Sequence, residues 1–170
     1  MKLLILGRAR HGKDTAAEYL RARWGVSFQS SSLTAARVIL PVLNAARELA
    51  GAPPYIDEQH AFNDRQAPRM RELWKRSISL YNAADKTALA REILKDSDCY
   101  VGMRALDEYE ATRHLFDHML WIDAGGRVSE VDETMGIELD WWGMRVIDNS
   151  ESLASLYEQL DVFMRETDQL

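Results

Sequence analysis

Cysteine is almost missing from this chain, since Cys99 is the single one, and only 4 His accompany it. No disulfide framework can be built from one thiol, and no Cys/His zinc spacing can be assembled, so a reducing cytoplasmic setting is the expectation. Long apolar runs are absent too. The run Lys2–Leu6 stops at Gly7, too short for a signal peptide, and nothing approaches the roughly 20 apolar residues of a membrane span. Basic charge is in deficit: 21 Lys+Arg stand against 27 Asp+Glu, a net charge of −6. That balance argues against a surface that holds nucleic acid by neutralising phosphates, and no membrane partner is expected. With 9 Gly and 4 Pro there is no low-complexity tract, and no internal repeat is visible.

What remains is an ordinary globular composition, 46% hydrophobic over 170 residues. A single domain over residues 1–170 is expected, long enough to bury roughly 70% of its unfolded surface without cross-links. The short apolar run Lys2–Leu6 suits a central parallel strand covered on both faces. Ala17, Leu20 and Trp24 recur at helical spacing over Asp14–Trp24, which Gly25 closes. Further strands are expected at Val26–Gln29, Asp98–Met103, His118–Asp123 and Arg145–Asp148. Helices are expected at about Leu33–Leu49, from Pro68 onward (Met70, Leu73, Trp74, Ile78, Tyr81), at about Lys86–Leu94, at Asp107–Asp117 and at about Glu151–Arg165. Asp57–Asp64 reads as a polar loop, and Asn149-Ser150 as the cap of the last helix. Strands alternating with helices give a three-layer α/β/α fold around a roughly five-stranded parallel sheet. The acidic, glycine-containing segment of about residues 124–143 reads as a lid-like loop.

The sharpest chemical signal lies between the first strand and the first helix. Gly7-Arg-Ala-Arg-His-Gly-Lys-Asp-Thr15 is G-x-x-x-x-G-K followed by Asp14 and Thr15, the phosphate-cradling loop in its confirming context. Glycines such as Gly7 and Gly12 let successive N–H groups face a polyphosphate, the helix N-terminus adds a favourable dipole, and Lys13 bridges the β- and γ-phosphates. The hydroxyl usually found after the lysine is displaced to Thr15, so Mg2+ falls to Asp14 or Thr15. His11 either touches phosphate or fills space.

Arg10-His-Gly-Lys-Asp-Thr15 closely resembles the R-S-G-K-D-T loop of the phage-type deoxynucleoside monophosphate kinases, a branch of the P-loop nucleoside monophosphate kinase fold. Phosphomevalonate kinase shares a G-K-D loop as well. Phe28-Gln29 with the following helix bearing Arg37 resembles the family's second strand and P-x-K helix. Arg71-Glu-Leu-Trp-Lys75 is similar to its R-x-L-x-Q segment, and Tyr100-Val-Gly-Met-Arg104 to its V-x-D-x-R strand end. Arg145-Val-Ile-Asp-Asn149 with Ser152-Leu153 resembles its closing V-I-x-N-x-x-S-L. The pattern is departed from at Gly102, where the family has an acid, and at Asp123-Ala124, where it has Arg-Pro.

The resemblance implies a Mg2+-dependent transfer of the γ-phosphate of ATP to a deoxynucleoside 5′-monophosphate, in a homodimer supplying DNA precursors in a phage-infected host cytoplasm. Arg10 and Arg104 would join Lys13 in stabilising the charge in flight, with Arg127 a further candidate. Arg37, Arg69, Arg71 and Trp74 fall in the helical acceptor region of about residues 33–95. Alternatives stay open: another small acceptor, a modified base within DNA, or a regulatory module that binds nucleotide without turnover. Trp141 and Trp142, being adjacent, cannot both face inward if extended. The exposed one covers a base, joins an interface or anchors the loop.

Overall fold

The computed structural model describes residues 1–64, 68–128, 135–140 and 142–167, and the side chains of residues 68, 69, 71, 72 and 75 are not described. Its centre is β1 (Leu3–Leu6), every residue of which is buried. β1 pairs in parallel with β3 (Cys99–Val101) on one side and β4 (His118–Asp123) on the other. β2 (Phe28–Ser30) extends the sheet beyond β3, and β5 (Arg145–Asp148) extends it beyond β4. The order β2-β3-β1-β4-β5 is all parallel, as the continuous apolar strands require.

The period of two along β1 divides the core. Leu3 and Ile5 pack with Ala16, Leu20, Leu156 and Leu160 of α1 (Lys13–Trp24) and α7 (Leu153–Thr167). Leu4 and Leu6 face the opposite layer, with Ile93 of α5 (Ala88–Asp96) and Tyr109 of α6 (Leu106–Thr112). A separate apolar cluster joins α2 (Ser31–Leu49) to α3 (Glu58–Asp64) and α4 (Pro68–Tyr81) around Ile39, Leu43 and Trp74.

Several expectations are corrected. Asp57–Asp64 is not loop, because Asp57 Oδ1 accepts the His60 N–H at 2.8 Å and so caps α3. α2 begins at Ser31, two residues early, where the Ser30 hydroxyl accepts the Leu33 N–H at 3.2 Å. The helix expected to reach Asp117 ends as α6 at Thr112, and a single 3-10 turn, Arg113–Leu115, follows. Asn149 does not cap α7; Ser152 does, its hydroxyl accepting the Ser155 N–H at 3.2 Å.

The described end of the connection from β4 to β5 packs on the sheet. Gly136 N–H donates to the Arg104 carbonyl at 2.9 Å, and Ile137 is buried with Leu4, Leu6 and Tyr100. The segment then reaches Gly143, where an added Cβ would lie 3.8 Å from Met119 Cε near the start of β4. Gly136 and Ile137 thus lie by the end of β3 and Gly143 by the start of β4. Trp142, wholly exposed, sits at the amino ends of the strands.

Candidate functional site

In an open parallel sheet the ligand crevice lies beyond the carboxyl ends of the strands where the order reverses. Here that point follows β1, which sits between β3 and β4, and the chain leaving β1 is the glycine-bounded loop. Gly7 has φ +138° and Gly12 has φ +93°, conformations that favour glycine. Arg10 also takes positive φ, 64°, and is exposed. These reversals curl residues 7–12 into a cradle ending at the N-terminus of α1. Lys13 Nζ folds back across it and donates to the Arg8 carbonyl at 2.7 Å.

The cradle is held from outside by the ends of β4 and β5. His11 is 2% exposed, and its Nδ1 accepts the Ala124 N–H at 2.9 Å. Asp123 Oδ1 lies 3.3 Å from the same nitrogen. Burial lowers the His11 pKa; Lys13 and Arg8 act in the same direction, while Asp123 and the Ile122 carbonyl oppose them. With Nδ1 occupied as an acceptor, His11 is neutral, and its approach to Asp123 is no ion pair. The buried imidazole thus ties the loop to the turn after β4.

Asn149, 3% exposed, fastens the other flank. Its Nδ2 donates to the His11 carbonyl at 2.9 Å, and its N–H to the Asp123 carbonyl at 2.6 Å. Its own carbonyl accepts from Arg127 Nε at 2.8 Å. The sequence marks Asn149 only as part of the closing motif and as a helix cap.

Asp14 is exposed in the first turn of α1, where a carboxylate suits the helix dipole, and Thr15 follows half-buried. Among the described residues no cluster of His, Cys, Asp or Glu is arranged to hold a metal alone. Mg2+ bound chiefly through phosphates and water needs only one or two protein oxygens, so Asp14 and Thr15 fit such an ion. Arg104 lies just beyond β3, partly buried, so the topology brings Arg10, Lys13, Arg104 and Arg127 to the same edge of the sheet.

The acceptor-side candidates are arranged differently. Arg37, on α2, pairs through Nη2 with Glu92 Oε1 at 3.1 Å and through Nη1 with Asp96 at 3.9 Å, tying α2 to α5. Trp74 is 4% exposed within the helical cluster, a wall rather than an open stacking platform. The side chains of Arg69 and Arg71 lie outside the described residues, as do Trp141 and the acidic run Glu130–Glu133. Trp142 cannot cover a base in the cradle, because it lies at the opposite end of the sheet.

Comparison of the sequence with protein-family models gives no match, and comparison with curated proteins gives none. Solved structures do match. A gluconokinase from Sinorhizobium meliloti 1021 aligns at TM-score 0.50 and 12% identity, over 94% of this chain and 88% of that one. TT1252 from Thermus thermophilus aligns at TM-score 0.56 and 16% identity, over 98% and 97%. The chain has the fold of a P-loop kinase. At these identities the likeness establishes fold alone, and no helix among the described residues is long and apolar enough to cross a membrane.

Proposed function

We propose that the protein is a Mg2+-dependent kinase that transfers the γ-phosphoryl group of ATP to a deoxynucleoside 5′-monophosphate. The observation that carries the phosphotransfer reading is the cradle Gly7–Gly12 at the sheet's reversal point, with Lys13 Nζ folded onto the Arg8 carbonyl at 2.7 Å. That ammonium already sits over the loop, and a polyphosphate supplies stronger acceptors than a carbonyl. Lys13 and the loop N–H groups hold the donor, and Asp14 or Thr15 holds Mg2+. Arg10 and Arg104 stabilise the charge in flight.

The acceptor assignment rests on the resemblance of the loop and of Arg71-Glu-Leu-Trp-Lys75. An acceptor phosphate oxygen attacks the γ-phosphorus, the bond from that phosphorus to the β,γ-bridging oxygen breaks, and ADP leaves. A phosphate monoester is ionised at neutral pH, so no general base is required. Arg69 and Arg71 hold the acceptor, and Arg37 joins them by exchanging Glu92 for the acceptor phosphate. A homodimer in the cytoplasm of a phage-infected host belongs to the same reading. Val42, Leu49 and Leu80, left exposed on α2 and α4, offer apolar surface to a second copy.

A second reading, a kinase of a hydroxyl-bearing sugar acid, is favoured by the structural likeness to a gluconokinase, a fold-level analogy. The test is ADP release from ATP and Mg2+ with a panel of common and modified deoxynucleoside monophosphates alongside gluconate, with Lys13→Ala as blank. Release that depends on a monophosphate and vanishes in the variant supports the first reading. Release with gluconate alone supports the second, and release with neither contradicts both.

A further inference from the structure

The phosphate loop and the turn after β4 are joined reciprocally. The His11 side chain accepts the Ala124 N–H at 2.9 Å, while the His11 carbonyl accepts from Asn149 Nδ2 at 2.9 Å. Asn149 in turn closes on the same turn, through its N–H to Asp123 and its carbonyl to Arg127. Gly126 N–H adds a contact to the Ser150 hydroxyl at 3.3 Å. These groups come from separate parts of the chain, and both His11 and Asn149 are nearly sealed from solvent.

A trans peptide points its C=O and N–H in opposite directions. Fixing the His11 carbonyl outward on Asn149 therefore directs the Gly12 N–H to the other side, the interior of the cradle. The Asn149 amide also stands where a Cβ on Gly12 would be, 2.3 Å from Nδ2, so loop and clasp are fitted to one another. We propose that Asn149 is a positioning residue that fixes the His11–Gly12 peptide for phosphate binding and couples it, through His11, to the Ala124–Arg127 turn. Occupation of the cradle and placement of Arg127 then rise and fall together. This deepens the kinase reading of the site and rests on it for the identity of the ligand.

The discriminating variant is Asn149→Asp, which keeps the shape but presents a carboxylate oxygen to the His11 carbonyl. At pH 8 two acceptors face each other and the clasp opens; at pH 5.5 a protonated carboxyl donates again. The titratable and charged groups nearby are His11, Lys13 and Arg8 from the loop and α1, Asp123 and Arg127 from β4 and its turn, and Asp148 from β5. Wild type measured at the same pH values carries their contribution. MgATP affinity by calorimetry is expected to fall about tenfold relative to wild type at pH 8 and to recover to within about threefold at pH 5.5. A deficit equal at both pH values, or none, overturns the proposal.

Amide exchange at Ala124 supplies a readout that needs no nucleotide. Its N–H bonds to the His11 side chain, and the Asp123 carbonyl of the same peptide accepts from the Asn149 backbone N–H, which the substitution retains, so an effect there reports the side-chain coupling through His11. About tenfold loss of protection is expected in Asn149→Asp at pH 8, and unchanged protection overturns the coupling. Should wild type bind no MgATP, the donor reading falls and the exchange result alone judges the clasp. Should Asn149→Asp not fold at pH 8, Asn149→Ser, too short to span the gap and uncharged, is expected to show the same loss of protection at both pH values.

Discussion

Gly7 lies against the Ile122 carbonyl so closely that a Cβ built on it would sit 2.4 Å from that oxygen. The contact fastens the start of the glycine-bounded loop to β4, and its neighbour is backbone, which cannot swing aside. Gly7→Ala, with φ at +138° as well, is expected to cost about 2–4 kcal/mol of folding stability. Chemical denaturation measures it, and a variant as stable as wild type contradicts the packing described.

Glu108 gives a stability change with pH. It is buried beneath β3, accepts the Tyr100 hydroxyl at 2.8 Å, and has its pKa raised to about 7. Burial is the largest cause, opposed by the Tyr100 hydrogen bond and reinforced by the charge of Asp107. The folded state therefore holds this proton more tightly than the unfolded chain. The resulting stability is complete below the unfolded value of 4.5 and is lost as pH rises through about 7. Relative to Glu108→Gln, wild type should lose about 3 kcal/mol between pH 4.5 and pH 8.5. Parallel stability curves for the two proteins would contradict the assignment.

Arg37 is shared between a structural and a binding role. Its pairing with Glu92 at 3.1 Å is partly exposed, so Arg37→Met should change stability by no more than about 1 kcal/mol. If Arg37 exchanges partners on binding, Arg37→Met should raise the acceptor KM about tenfold, and Glu92→Gln should lower it. Acceptor KM unmoved by either substitution would confine Arg37 to joining α2 and α5.

Trp142 tests the direction of the β4–β5 connection. Its side chain is wholly exposed at the amino edge of the sheet, so Trp142→Ala should leave MgATP affinity within about twofold of wild type. The fluorescence change on nucleotide addition should be the same in both proteins. Loss of that change in the variant would place Trp142 near the cradle.

The parts legible in the sequence are those governed by local rules. Lys2–Leu6 announces a buried strand and Gly7–Lys13 a glycine-bounded turn into a helix because each signal is contiguous, and α4 begins at Pro68 as expected. α3 escaped because its apolar residues are few, although Asp57 three residues before His60 carried a capping signal. Asn149 reads with Ser150 as a helix cap, and not as a clasp, since His11 is far away in sequence. Arg37 reads as a free cation until the fold brings Glu92 beside it, and Trp142 is assigned an end of the sheet only once Gly143 meets Met119. Pairings between distant segments are set by the topology, which a single sequence does not spell out.

In the proposed kinase the loop holds a triphosphate through Lys13, and calorimetric titration of wild type and Lys13→Ala with ATP and Mg2+ checks this. Saturable binding in wild type, weakened about ten- to hundredfold in the variant, is the result predicted for loss of charge-assisted hydrogen bonds. Equal affinity in the two proteins, or no binding by wild type, would contradict it.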